Sequence, residues 1–456
     1  MSSTQAAPEA PHDAPLPPHP HLWPASATLD ARGGLRLAGL EAAALARTYG
    51  TPLYVFDEVT IRAACRGFRQ ALAAAWEGRE SAVAYAGKAY LSPALCALLR
   101  AEDLDLDVVS AGELGMALAS GFPAERIHLH GNYKPSGELG AALAAGIGRI
   151  VVDSLDELAQ VEALARARGH PAAIWLRLCP DVPADTHPHI QTGHAASKFG
   201  LDTASGAAQE AARRAIASPW LDLAGLHAHA GSQLMEVATC ARVAGFLANF
   251  AADLREQYGA PMRELSPGGG LGVAYLPEER APAVEQYAEA VAAELAAVLA
   301  RRRMPAPRLI VEPGRALIAR AGVALYTVGP RKTAPGGTVL LAVDGGLGDN
   351  PRPALYGARY HAALCARMTA AAEETVRVVG RYCESGDVLA EAAALPRARP
   401  GEVLAVPMSG AYHLPMASNY NLVPRPAVVF VREGKARLVR RRETLDDLLR
   451  LECAGE

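Results

Sequence analysis

The sequence predicts an α/β protein, a (β/α)8 barrel followed by a second, mainly β domain. Three observations carry that expectation. Half of the 456 residues are hydrophobic, which suffices for a large core in a chain too long for one ordinary domain unless that domain is a barrel. From about residue 53, short apolar or β-branched runs alternate with Ala/Leu/Glu/Arg stretches of helical period, the mark of βα units around a parallel sheet. Beyond Ala319 the texture changes to Val-rich runs broken by Gly, Pro and Asn, which reads as mainly β.

Residues 1–25 are rich in Pro, Ala and His, run PLPPHP from Pro15 to Pro20, and have no basic stretch followed by an apolar core. They read as a disordered tail, and His12, His19 and His21 as part of its polar surface. Residues 26–52 are expected to join the β domain. An entry helix near Asp57–Trp76 opens the barrel, assigned to residues 53–319. Its strands are expected near Ala82–Tyr85, Leu104–Val109, Ile127–His130, Arg149–Val152, Ala173–Cys179, Leu223–His229, Arg263–Leu265 and Leu309–Val311. Eight parallel strands separated by helices over roughly 260 residues close naturally into a barrel; an open doubly wound sheet is the alternative the pattern leaves. In residues 320–456 the runs Val323–Val328, Val339–Val343, Val376–Val379, Val403–Val406 and Ala427–Val431 are expected as strands, and Thr444–Leu451 as a closing helix.

A formal charge of −3 with mixed signs gives no basic face for nucleic acid or anionic lipid, so a small molecule is the expected partner. No continuous apolar run reaches membrane-spanning length. Seven scattered cysteines without a C-x-x-C pair point to reduced thiols in the cytoplasm. No H-E-x-x-H or clustered Cys/His spacing is present, so no metal is expected.

In a βα barrel the chemistry sits at the carboxyl ends of the strands. The first strand delivers Lys88 from an apolar run expected to depress its pKa and suit it to Schiff-base chemistry. Taken alone, a lysine snorkelling to solvent is the better reading. Strand two ends in Asp107–Glu113, strand three in His128–Asn132 and strand six in His227–Ser232, where caps, turns and satisfied core histidines are the ordinary explanations. After strand seven, Gly268, Gly269 and Gly270 lack side chains, so their backbone N–H groups can converge on an anion. Strand eight ends in Glu312-Pro313-Gly314-Arg315, a carboxylate that can pair with a protonated ring nitrogen and a guanidinium that can fork onto phosphate. A lysine amine, a phosphate cradle, a carboxylate for a pyridinium and a histidine to lie against a ring together describe pyridoxal phosphate. GGGLG lacks the βαβ setting and acidic partner of a dinucleotide fingerprint.

At these residues the sequence resembles the diaminopimelate decarboxylase family, within the alanine-racemase-like barrel class, from about Gly50 to Leu451. The motifs are Tyr85–Ala89, Asp107–Glu113, Thr186–Gly193, Ser197–Gly200, His227–Gln233, Gly268–Gly270, Glu312–Arg315, Asp344–Gly346, Arg352–Gly357, Cys383–Asp387, Gly410–Tyr412 and Ser418–Asn421. The resemblance implies that Lys88 holds pyridoxal phosphate covalently, that His229 stacks on its ring and that Glu312 keeps the ring nitrogen protonated. Ser232 and Gly268–Gly270 would take the phosphate, Asp107, Pro313 and Gly314 would line the cofactor, and Arg315 and Tyr412 would serve cofactor and substrate. It implies decarboxylation of meso-diaminopimelate to L-lysine, with Cys383 returning a proton, Arg352 and Tyr356 on the distal carboxylate and Glu384 on the distal ammonium. It also implies a homodimer in which Cys383 and Glu384 reach the neighbour's active site, and a β-barrel domain completed by N-terminal residues near Leu29–Leu37. A decarboxylase of ornithine, lysine, arginine or a modified diamino acid is the alternative; a non-catalytic homologue and a racemase rank lower, because Lys88 and the Cys-Glu-Ser-Gly-Asp run are both present. Tyr133, Pro135, Leu347 and Gly348 depart from the family pattern and put local loop shape in question.

Overall fold

Eight parallel strands form the expected barrel: β1 (Ser81–Ala86), β2 (Asp105–Val108), β3 (Ile127–Leu129), β4 (Arg149–Val152), β5 (Ala172–Cys179), β6 (Leu221–Ala228), β7 (Glu264–Ser266) and β8 (Arg308–Val311). Each pairs with the next, and β8 returns to β1 with Leu309 opposite Ser81, which closes the sheet. The strands lie within two residues of their expected ends. The computed structural model describes residues 14–180 and 197–453, so the Thr186–Gly193 motif lies outside the described residues.

Serines start several of the intervening helices. Ser92, Ser110 and Ser154 accept hydrogen bonds from the backbone N–H groups of Leu95, Glu113 and Glu157, satisfying donors that a helix cannot satisfy internally. The helix Val237–Tyr258 is long and apolar enough to cross a membrane by length and composition alone, although no such run was expected. Leu247, Phe250, Ala251 and Leu254 on it are buried, and it packs against the helix Val284–Arg301 as a core helix does.

Period-two alternation sorts the barrel interior into layers. Toward the amino ends of the strands, Arg149 forks onto Glu264 at 2.6 Å through each nitrogen, and Arg308 reaches Asp105 at 3.2 Å. Above them Ala84, Val151, Trp175, Ala224 and Ile310 form a buried apolar cluster. Toward the carboxyl ends of the strands, Asp107, Asp153, Arg177, Ser266 and Glu312 form a polar layer, all buried.

Contact clustering divides the chain into two units, one of residues 64–273 and 281–317 and another of residues up to 63, 274–280 and from 318 onward. The second unit is built on a mixed sheet. Its strand order is Val388–Leu395, Glu374–Val379, Val339–Val343, Gly322–Thr333, Leu53–Asp57, Ala427–Arg432 and Lys435–Arg440, with Val403–Val406 and Ala363–Leu364 branching from Gly322–Thr333. This corrects the domain limits. Leu53–Asp57, assigned from sequence to the barrel, is a fully buried central strand of this sheet. N-terminal residues do complete the sheet, but not Leu29–Leu37. Those residues lie in a separate three-stranded sheet of the same unit, Thr28–Leu29, Leu35–Leu37 and Leu40–Glu41, joined to the rest of it where the Leu35 N–H donates to Cys365 O at 2.7 Å.

Residues 14–25 are also corrected, because they are not a disordered tail. Leu22 and Trp23 are fully buried, Trp23 Nε1 donates to Pro18 O at 3.0 Å, and Arg320 Nε donates to Trp23 O at 2.7 Å. Two large apolar side chains outweigh the disorder signal of the Pro-rich composition around them. Trp23→Ala should cost about 3–5 kcal/mol, read as a lower denaturant midpoint; an unchanged midpoint would mean that the segment does not contribute to the folded core.

Candidate active site

The polar layer at the barrel mouth is a connected network. Ser266 Oγ donates to Glu312 Oε1 at 2.6 Å, and His227 Nε2 lies 2.9 Å from Glu312 Oε2. On the other side His128 Nδ1 lies 3.2 Å and His130 Nε2 3.5 Å from Asp107 Oδ1, and His130 also stands 4.0 Å from Glu312. His130 therefore sits between two buried carboxylates. The apolar layer supports these rings from below: Trp175 has its centroid 4.7 Å from that of His128 and stacks parallel to His227 at 6.4 Å.

The two carboxylates differ in their tendency to ionise. Burial, and then the charge of Asp107, pushes the Glu312 carboxyl up to about 7. Burial pushes Asp107 the same way, but His130 and His128 outweigh it and hold Asp107 below the usual carboxylate range. The hydrogen bond to Asp107 raises His128 against the opposing effect of burial, whereas burial lowers His130. His227 and His229 are held well below the ordinary imidazole value, by burial first and then by Arg177 and Lys88 respectively. Two titratable acids with separated ionisation are the arrangement from which acid and base roles can be read. Asp107 is the fixed anion, and Glu312 is the one that holds a proton near neutrality.

The glycine run lies tightly against this network. A Cβ on Gly269 would stand 2.0 Å from Glu312 O, one on Gly268 would stand 2.7 Å from His229 Nδ1, and one on Gly270 would stand 2.4 Å from Gly231 O. Gly268 and Gly270 also adopt positive φ, so no other residue fits the path. Nearby Arg315 Nη2 donates to Ser232 Oγ at 3.0 Å, which brings together a cation and a hydroxyl expected on phosphate. Lys88 follows β1 on a single turn, Gly87–Ala89, and is exposed, which corrects the expectation of a lysine buried in apolar surroundings. The turn carries it past the end of the apolar run, yet its charge is felt by His229, His227 and Glu113. These residues fit pyridoxal phosphate: an amine, a side-chain-free backbone path with Ser232 and Arg315 for the phosphate, and a buried carboxylate whose free lone pairs can take a ring N–H.

In the second unit Arg352 opens the short helix Arg352–Tyr356 and is buried. Its Nε donates to Tyr360 OH at 2.9 Å, and its guanidinium carbon lies 5.3 Å from the ring centre of Tyr356 and 5.6 Å from that of Tyr412. Burial alone would lower its pKa, but Tyr360 and Tyr275 outweigh that and raise it. Among the described residues no carboxylate pairs with Arg352, an uncommon situation for a buried guanidinium and one that an incoming anion would relieve.

Cys383 and Glu384 lie exposed on a turn organised by the motif's own aspartate. Buried Asp387 accepts from the N–H groups of Tyr382 at 2.8 Å and Leu347 at 2.6 Å. The Ser418–Asn421 motif holds the same turn, through Cys383 N–H to Asn421 Oδ1 at 2.9 Å and Tyr420 OH to Cys383 O at 3.1 Å. The departure at Gly348 has a steric reason, since a Cβ there would stand 2.3 Å from the Tyr382 ring.

Sequence reasoning identified His227 by position but not its grip on Glu312, and it passed over Trp175, Arg177, Tyr360 and His413. Strand alternation could have identified Trp175 and Arg177 as inward-facing neighbours; no local signal marks Tyr360 or His413.

The pyridoxal-binding domain of the pyridoxal-dependent decarboxylases matches residues 58–319. The chain is 48% identical to a diaminopimelate decarboxylase of Actinosynnema pretiosum subsp. auranticum, over 94% of this chain and 95% of that one. It is 43% identical to the Bacillus subtilis (strain 168) diaminopimelate decarboxylase, over 92% and 95%. The crystal structure of the M. jannaschii diaminopimelate decarboxylase with L-lysine superposes with a TM-score of 0.88 at 34% identity, covering 94% of this chain and 98% of that one.

Because its folded-state pKa is raised, Glu312 subtracts stability as pH climbs from the ordinary value of 4.5 through about 7. Glu312→Gln should therefore gain denaturant stability over the wild type at pH 8 and little at pH 5, in cofactor-stripped protein. An equal difference at both values would mean that Glu312 does not titrate in that window.

Proposed function

Since the chain belongs to the diaminopimelate decarboxylase family of pyridoxal-dependent decarboxylases, we infer that it removes one carboxylate of meso-2,6-diaminopimelate as CO2 and leaves L-lysine. Buried Arg352, ringed by tyrosines and without an acid among the described residues, carries the choice of substrate. Diaminopimelate keeps an amino-carboxylate at the end that does not react, and ornithine does not. A buried guanidinium that lacks an anion favours the substrate that brings one.

When bound, pyridoxal phosphate supplies a protonated ring that takes up the electron pair left by the departing CO2. Lys88 would provide the amine that tethers it, His229 would lie against the ring, and Ser232, Gly268–Gly270 and Arg315 would take the phosphate. Asp107, Pro313 and Gly314 complete the cofactor's surroundings. Glu312 holds the proton of the ring nitrogen, and Ser266 and His227 orient its two oxygens for that task. Arg352 and Tyr356 take the distal carboxylate, Glu384 takes the distal ammonium, and Arg315 and Tyr412 serve cofactor and substrate. Cys383 returns a proton to the carbon that loses CO2. The exposure of Cys383 and Glu384 supports a homodimer in which this turn serves the active site of a second copy. Seven free cysteines support a reducing, cytoplasmic setting.

The deciding assay is CO2 release from meso-diaminopimelate, L-ornithine, L-lysine and L-arginine supplied separately to the cofactor-loaded protein. Release from diaminopimelate alone is expected; release from a monocarboxylate instead would overturn the role of Arg352. Lys88→Ala should abolish the visible absorption of the bound cofactor, and a retained, borohydride-fixable band would assign the tether to another lysine. Glu384→Asp should lower kcat/KM for diaminopimelate by roughly tenfold through poorer reach to the ammonium; unchanged kinetics would remove Glu384 from substrate binding.

A further inference from the structure

Arg352 is one end of a buried hydrogen-bonded chain. Its Nε lies 2.9 Å from Tyr360 OH, Tyr360 OH lies 2.9 Å from His413 Nε2, His413 Nδ1 lies 3.2 Å from Tyr54 OH, and Tyr54 OH lies 3.1 Å from Asp349 Oδ2. Asp349 is fixed in turn by Tyr326 OH at 2.6 Å and by the Gly346 N–H at 2.9 Å. Arg352, Tyr360, His413, Tyr54, Asp349 and Tyr326 are all more than nine-tenths buried.

The chemistry of the donors gives the chain a direction. An arginine Nε–H can only donate, so the Tyr360 oxygen accepts from it, and at the other end the Tyr54 hydroxyl donates to the Asp349 carboxylate. The His413 tautomer that joins these two ends carries its proton on Nδ1, donating to Tyr54 and accepting from Tyr360 at Nε2. With that tautomer every link is occupied in one sense, from a buried cation to a buried carboxylate through Tyr360, His413 and Tyr54. Asp349 makes no direct ion pair with Arg352 and instead anchors the far end of the chain at Tyr54. With Nε committed and Tyr356 and Tyr412 beside the guanidinium, only its two Nη groups remain to meet a ligand.

We propose that Tyr360 and His413 are positioning residues that brace the Arg352 guanidinium from behind, and that this brace sets the affinity for the amino-carboxylate end of the substrate that does not react. The inference rests on Arg352 taking that carboxylate. A guanidinium held in one plane meets a carboxylate without losing further freedom, whereas one hinged about its side chain must be ordered by the ligand. Tyr360→Phe removes the hydroxyl and keeps the ring, so the brace is cut with little change in packing.

L-lysine retains the amino-carboxylate in question and cadaverine is the same chain without the carboxylate, so the pair isolates this interaction. Titrating each into the cofactor-loaded wild type and Tyr360→Phe by calorimetry should show lysine binding weakened roughly five- to twentyfold and cadaverine binding within about twofold. The visible spectrum of the cofactor should not change, and the KM for diaminopimelate should rise while kcat holds. A wild type that prefers lysine, together with a Tyr360→Phe variant that keeps the whole preference, would overturn the brace and leave the proposed function standing. A wild type without preference for lysine over cadaverine would overturn the assignment of Arg352 and the brace with it. If Tyr360→Phe does not fold, His413→Leu and His413→Gln decide the matter. The glutamine still offers an acceptor to Tyr360 and should bind lysine more tightly than the leucine; equal affinity would sink the proposal.

Discussion

The barrel mouth depends on one apolar layer. Ala84, Val151, Trp175, Ala224 and Ile310 separate the ion pairs near the amino ends of the strands from the polar layer above. Without that layer, water could reach Glu312 from below and its ionisation would return toward that of a solvated carboxylate. Trp175 is central to it, because its indole N–H is tied to Glu264 at 2.7 Å while its ring supports His128 and His227. The indole couples a structural ion pair to the two imidazoles that stand next to the functional acids.

Above that layer the protein holds two buried carboxylates apart in charge. A pair of acids so close in a dry site cannot both ionise freely, and the surrounding imidazoles decide which one does. Asp107 has His128 and His130, and Glu312 has a hydroxyl and His227. The acid given the weaker support is the one assigned to a ring N–H, where a proton near neutrality is the working requirement. The glycine run is part of the same constraint, since the backbone of Gly269 passes too close to that of Glu312 for any side chain.

The second unit solves a different problem, a buried guanidinium with no acid beside it among the described residues. Aromatic faces and a tyrosine hydroxyl carry Arg352, and that hydroxyl is joined through His413 and Tyr54 to Asp349. A direct Arg–Asp pair would occupy the guanidinium. Bracing the guanidinium through Nε and aromatic faces keeps the Nη edges for a substrate carboxylate.

By itself the sequence determined the barrel, its eight strands, the change to β structure after residue 319 and most of the residues at the strand ends, because period-two and helical alternation are local properties that a linear reading detects. Position at the strand ends marked Lys88, Gly268–Gly270, Glu312 and Arg315, and the family resemblance marked Arg352 and Cys383. Tertiary structure alone decided that Leu53–Asp57 leaves the barrel for the other sheet, since a buried apolar strand reads alike in either. It decided that Trp23 is core in spite of the prolines around it, and that Lys88 is exposed at the end of an apolar run. It also decided which acid keeps its proton and which residues brace Arg352. Those properties depend on burial and on partners dozens or hundreds of positions away, such as Tyr54 and Asp349, and pairing over that distance leaves no periodic trace in the chain.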